Sequence, residues 1–245
     1  MLATHSFSRP IAPLLPDASG ASVFDIHSLL TRPGRVVVIA PHPDDEVLGI
    51  GGSLAALEAS GREVLVVAVT DGAASHPGSS LWSEERLRWT RPLESIEALA
   101  RLNAGAQLLR LEIEDGCVER YETPLMHVLE PLLASAAAVF CTWCHDGHPD
   151  HEACGRAAIA AASACGVPCY EYVVWGMVED HPAHVTLAGR VVRRLALDAS
   201  SWQRKIHAIE AFDSQTHPDP TTGRTAVLTP AALACWRHPY EVVLA

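Results

Sequence analysis

Two unbroken apolar runs, RVVVIA (Arg35–Ala40) and EVLVVAVT (Glu63–Thr70), bracket a stretch of helical character that ends at Gly61. Neither run alternates apolar with polar residues, so each reads as a strand covered on both faces. A covered strand, a helix over 46–60 and a second covered strand in direct succession make a βαβ unit. Its strands must be parallel and its crossover right-handed. The alternation continues down the chain. The pattern predicts a helix after the N-cap candidate Ser83, kinked at Pro92, then a strand over 107–113 and a helix opening at Thr123-Pro124. A strand over 137–143 and a helix over 151–166 follow, the latter closed by Gly166. PCYEYVVW (Pro168–Trp175) reads as another strand and RVVRRLAL (Arg190–Leu197) as an edge strand. A helix over 200–212 carries a Ser200–Gln203 capping box, and Thr229-Pro230 starts a last helix. Strands alternating with helices imply a three-layer α/β fold with a mostly parallel sheet, in one domain over 35–245. Residues 1–34, rich in Pro and Ser, read as a loosely attached arm.

Composition removes several kinds of partner. There are 18 basic against 29 acidic residues, a net charge of −11, which offers no basic face for nucleic acid. A membrane span needs about 18–20 consecutive apolar residues, and the run near Leu132–Thr142 is far shorter and broken by Ser135. The first residues carry no basic segment ahead of an apolar one, so no secretion signal is read there. Seven unevenly spaced cysteines suit free thiols in a reducing cytoplasm. The reading leaves room for a homo-oligomer.

In α/β sheets of this kind, ligands bind beyond the carboxyl ends of the strands. Three loops stand there: Pro41–Glu46 (PHPDDE), Thr70–Gly78 and His145–His151 (HDGHPDH). The first and third share His-Pro-Asp. An Asp before a helix is often only a cap, but two such loops after two parallel strands favour a site. Adjacent carboxylates diverge in a turn, so Asp44 and Asp45 suit different tasks. A catalytic zinc uses three protein ligands and keeps a position for water. His42, Asp45 and His151 would supply that set if the two loops meet. Zinc acidifies its water, Asp44 is the natural base, and His148 would donate to a developing oxyanion or to a leaving amine. Imidazole and carboxylate also accept other divalent metals, Fe2+ included.

Two other patterns compete. Gly49, Gly51 and Gly52 resemble part of a dinucleotide fingerprint but sit too late after the strand, so helix packing or close substrate approach accounts for them better. Cys141 and Cys144 form a C-x-x-C, yet Cys144 and His148 are too close for a zinc finger. His76 merits attention because its loop also follows a strand.

The segments PHPDDEVLGIGG, VTDGAASHPGS and DGHPDHEACGRA resemble the PIG-L/LmbE-like N-deacetylase family. Arg91-Pro-Leu-Glu94, Lys205 with Ser214-Gln215, and Tyr240-Glu241 extend the resemblance over about residues 35–245. It implies a Rossmann-like fold and a zinc-dependent hydrolase that removes acetyl from an N-acetylglucosamine-type sugar conjugate or related small amide. By the same resemblance His42, Asp45 and His151 are the zinc ligands, Asp44 the general base and His148 the transition-state stabiliser. Asp150 orients a neighbouring His, and Arg91 contacts substrate. A non-catalytic sugar- or metabolite-binding module of the same fold is the alternative.

Overall fold

The computed structural model describes residues 23–178, 180–187 and 192–244; most of the predicted arm, residues 1–22, lies outside these. In chain order the elements are β1 (Val23–Phe24), β2 (Val36–Ala40), α1 (Asp45–Ala59), β3 (Val64–Thr70), α2 (Glu84–Arg101), β4 (Gln107–Ile113), α3 (Glu122–Leu133) and β5 (Ala138–Thr142). There follow α4 (Pro149–Cys165), β6 (Cys169–Tyr172), α5 (Pro182–Leu187), β7 (Arg193–Ala196), α6 (Ala199–Ile209), α7 (Asp213–Thr216), α8 (Pro230–Trp236) and β8 (Tyr240–Leu244). Every residue of β2, β3 and β5 is buried. Successive side chains of β2 feed opposite layers: Val36, Val38 and Ala40 join one core with α1, while Val37 and Ile39 join a second with α3 and α4. Burial on both faces is why these strands read as continuous apolar runs.

Among the described residues one sheet runs β1-β7-β8-β6-β5-β2-β3-β4. All neighbours are parallel except β8, which is antiparallel to both β6 and β7. The chain winds outward from β2 through β3 to β4, then returns to the other side of β2 as β5. Strand order therefore reverses between β2 and β5, and the loops leaving their carboxyl ends splay around a crevice, the usual ligand position in this architecture.

Several local expectations change. β7 is an interior strand, because β1 pairs with its outer side. Residues 23–30, read as part of the arm, contribute that strand and bury Ile26 and Leu29. Helix α2 runs from Glu84 to Arg101 through Pro92. The cap of α6 is Asp198, whose carboxylate accepts from Ser201 N at 2.9 Å, in place of the Ser200–Gln203 box. The glycines of α1 serve packing: a Cβ at Gly49 would overlap the Tyr172 ring, and one at Gly52 would overlap Leu197. Cys141, Cys154 and Cys235 are buried. No described helix is long and apolar enough to cross a membrane.

Candidate metal centre

The two His-Pro-Asp loops meet. The loop leaving β2 carries His42, and Asp45 opens α1. In the loop leaving β5, His148 is the N-cap of α4 and Pro149 fills its first turn, where a missing N–H costs nothing. Asp150 and His151 follow in that turn. His42 Nδ1 lies 3.2 Å from Asp45 Oδ2 and 3.3 Å from His151 Nε2. His151 Nε2 lies 3.2 Å from Asp45 Oδ2. Three donor atoms thus form a nearly equilateral triangle. Tetrahedral zinc with bonds of about 2.0–2.1 Å has ligand–ligand edges of about 3.3–3.4 Å, so this donor set fits a small divalent ion.

The other nitrogen of each ring is tied to carboxylate. His151 Nδ1 is 2.8 Å from Asp146 Oδ2. The same carboxylate accepts from the backbone N–H groups of Val174, Trp175 and Gly176, which locks the segment after β6 onto the centre. His42 Nε2 faces Asp115 at 3.1 Å and Asp150 at 3.2 Å. With a metal in the triangle, the carboxylate-facing nitrogen of each ring would keep its proton and the nitrogen of the triangle would present a lone pair. Two other groupings bring donor atoms close, His42 with His148 and His151, and His42 with Asp115 and Asp150. The first needs His148, whose Nδ1 already accepts from Asp150 N at 3.3 Å. The second lies on the protonated edge of His42. Buried Asp45, Asp146 and Asp150, with Asp115 beside them, leave a surplus of negative charge that a divalent cation would offset. Replacing Asp146 with alanine is expected to weaken metal binding about 10–100-fold, read by competition against a chelator. Unchanged affinity would remove Asp146 from this role.

Asp44 sits at the crevice with φ 130°, a backbone region that side-chain-bearing residues rarely occupy. Its Oδ2 accepts from Arg91 Nη2 at 3.0 Å. Burial pushes the Asp44 carboxyl up to about 7 against the pull of Arg91, with Asp45 and Glu46 adding to the rise. Glu46, also buried, bridges Asp44 N and Ser95 Oγ and so joins α1 to α2. Burial disfavours the charged form of Asp45 too, but His151 and His42 hold its carboxyl far below the usual range. For His148, burial and then His151 and His42 push the imidazole down to about 4, so it is neutral at pH 7.

Arg91 lines the cleft, but Nη1 donates to Gly72 O and Nη2 to Pro43 O, each at 2.7 Å, besides Asp44. These bonds tie Arg91 to the loop that carries Asp44. Asp150 does reach a histidine, but that histidine is His42, 108 positions away. It also accepts from Gly116 N and Val118 N, fixing the loop after β4. His76 bonds Ser75 Oγ and is not among the cleft residues. Asp115 and Asp146 escape the sequence reading because a lone Asp in a Gly-containing turn looks like ordinary turn chemistry.

The cleft above the triangle measures about 250 Å³. His42, Asp44, Asp45, His148 and His151 line its floor, and Leu48, Val174, Trp175 and Leu228 give it an apolar wall. Fold and site together define an α/β protein with a two-histidine, one-carboxylate metal-binding group at its topological switch point. The chain belongs to the PIG-L family: the family described as GlcNAc-PI de-N-acetylase matches residues 37–162, just over half of the chain. Curated relatives include the diacetylchitobiose deacetylase of Thermococcus kodakarensis (strain ATCC BAA-918 / JCM 12380 / KOD1), 26% identical over 149 residues. A probable N-acetyl-alpha-D-glucosaminyl L-malate deacetylase 2 of Bacillus subtilis (strain 168) is 31% identical over 136 residues. These matches cover 59% and 52% of this chain, and only 55% and 60% of the relatives. The crystal structure of the zinc-inhibited form of teicoplanin deacetylase Orf2 shares the fold, with a TM-score of 0.60 at 20% identity over 74% of this chain and 84% of that one.

Proposed function

We propose that this chain is a metal-dependent N-deacetylase that hydrolyses the amide of an N-acetylglucosamine-type sugar conjugate or a related small amide. The observation that carries the reading is the triangle of His42, Asp45 and His151, with both imidazoles oriented from behind by carboxylates. These three residues would hold a divalent ion, zinc or another such as Fe2+. When bound, that ion supplies a Lewis acid that polarises the amide carbonyl and makes water easier to deprotonate. Asp44 takes the proton of the attacking water and delivers it to the amine nitrogen as the C–N bond breaks, and Arg91 keeps its carboxylate aimed at the cleft. Because Nδ1 of His148 accepts from the Asp150 backbone, Nε2 carries the hydrogen. His148 therefore donates from a neutral ring to the oxygen that gains charge as the carbonyl is attacked. Leu48 and Trp175 offer apolar surface to the acetyl methyl. Asp150 and Asp146 are positioning residues for His42 and His151. The names of the curated relatives, each a deacetylase, support the substrate class.

The test is acetate release from N-acetylglucosamine and its conjugates by the full chain, before and after chelation and after reloading with individual divalent metals. Chelation is expected to abolish turnover and reloading to restore it. Metal held at the triangle with no acetate from any N-acetylated sugar would instead favour a non-catalytic binding module of the same fold.

A further inference from the structure

Beside the metal cleft lies a second groove, of about 310 Å³, built from the ends of β3 and β4 and the first turns of α2. It shares Asp115 with the metal cleft. Trp89 stands at its side, 69% exposed. Arg110, on the edge strand β4, is held bidentate by Asp71, with both contacts at 2.9 Å, and also reaches Glu112 at 3.3 Å. The ladder is irregular here: Ala68 and Thr70 of β3 face Arg110 and Ile113 of β4, so β4 carries one extra residue. Within that bulge Glu112 adopts φ 56°, a left-handed conformation unusual for a glutamate. Bulges beside active sites commonly re-aim a side chain, and the ladder by itself gives no reason for this one.

We propose that this groove is a second sugar subsite, holding the hydroxyl-bearing ring joined to the N-acetylated one. The inference rests on the deacetylase reading of the adjoining cleft. A pyranose presents an apolar C–H face, which suits an exposed indole that is itself apolar on its faces. Its equatorial hydroxyls both donate and accept, matching carboxylates and guanidinium forks set side by side, whose charge strengthens each bond. The Asp71–Arg110 pair supplies that arrangement, with the Glu112 carboxylate 3.3 Å from the same guanidinium. Such few, placed polar groups orient a ligand in a pocket. Trp89 also begins an exposed stripe on α2 with Leu93 and Ile96, 64% and 52% exposed, which a second copy of the chain could cover. Neither Leu93 nor Ile96 lines the groove, so substitution separates the two roles.

The experiment compares N-acetylglucosamine with N,N'-diacetylchitobiose on the metal-loaded full chain, by acetate release and by calorimetric binding. Light scattering reports molecular mass in parallel. Wild type is expected to prefer the disaccharide. Trp89→Ala should remove about tenfold of that preference, roughly the contribution of one aromatic contact, through KM rather than kcat. Leu93→Ala should leave it intact. Equal losses on both sugars, or none on either, would overturn the subsite. So would a fall in mass shared by Trp89→Ala and Leu93→Ala, which would give the stripe to a second copy. If neither sugar releases acetate, the deacetylase reading fails on its own. Calorimetry then still decides the subsite: disaccharide binding weakened by Trp89→Ala supports it, and absent binding overturns it.

Discussion

Asp44→Asn is expected to lower turnover by about 10²–10⁴-fold, the usual contribution of a positioned general base, while metal content stays at the wild-type level. The argument rests on what asparagine keeps. Asp44 is not part of the donor triangle, so the three ligand atoms are untouched. An amide oxygen can still accept from Arg91 Nη2, and the guanidinium retains Gly72 O and Pro43 O. Asparagine is also among the side chains that best tolerate positive φ, so the strained turn has no new reason to move. What it lacks is the ability to take a proton. Measuring metal stoichiometry and acetate release on the same preparation checks both halves of the claim. Asp44→Gly serves as a second variant, because it relieves the backbone constraint and removes the base together. It should be equally inactive. Turnover within twofold of wild type in either variant would mean that Asp44 is not the base.

How much of this could be read beforehand depends on whether the signal was local. β2, β3 and β5 were legible nearly to the residue because a strand covered on both faces must be apolar throughout. The meeting of His42 with His151 followed from two like turns after two parallel strands. Strand order was not legible. RVVRRLAL alternates as an edge strand would, but alternation reports which faces are covered and says nothing about whether the backbone edges are paired; Val23–Phe24 pairs with it from a part of the chain that looked like an arm. The same limit hid the partners of the site. Asp146 lies five residues before His151, inside a turn where aspartate needs no special reason. Asp115 comes from the loop after β4, whose nearness to His42 is a property of the sheet as a whole. Arg91 was visible as a residue, but its burial and its bond to Asp44 were not.

Glu241→Leu is expected to destabilise the fold by about 3–5 kcal/mol, the range for leaving one partner of a buried ion pair alone. At about 2–4 °C per kcal/mol for a chain of this size, the melting temperature should fall by roughly 6–20 °C. The cause lies in helix α1, which leaves helical geometry at Ile50 (φ −137°, ψ 24°). Around that break, Leu48 O accepts from Lys205 Nζ at 2.8 Å, and the N–H groups of Gly52 and Ser53 donate to the Glu241 carboxylate at 2.8 and 2.9 Å. Lys205 and Glu241 bond each other at 2.7 Å, and both are almost wholly buried. The pair thus fills the gap in the helix from α6 and β8. Leucine at 241 strands a buried ammonium and two buried N–H groups at once. Adding Lys205→Met removes the stranded charge and should recover part of the loss. It cannot recover all of it, because Gly52 and Ser53 still lack an acceptor, and each unmet buried donor costs about 1–3 kcal/mol. The N-terminal end of α1 carries Asp45, so the single variant should also give up its metal at lower chelator concentration. Thermal unfolding of the four proteins of the double-mutant cycle tests the argument: if Glu241→Leu costs less than 1 kcal/mol, or Lys205→Met adds to the damage rather than reversing it, the break in α1 is held by something else.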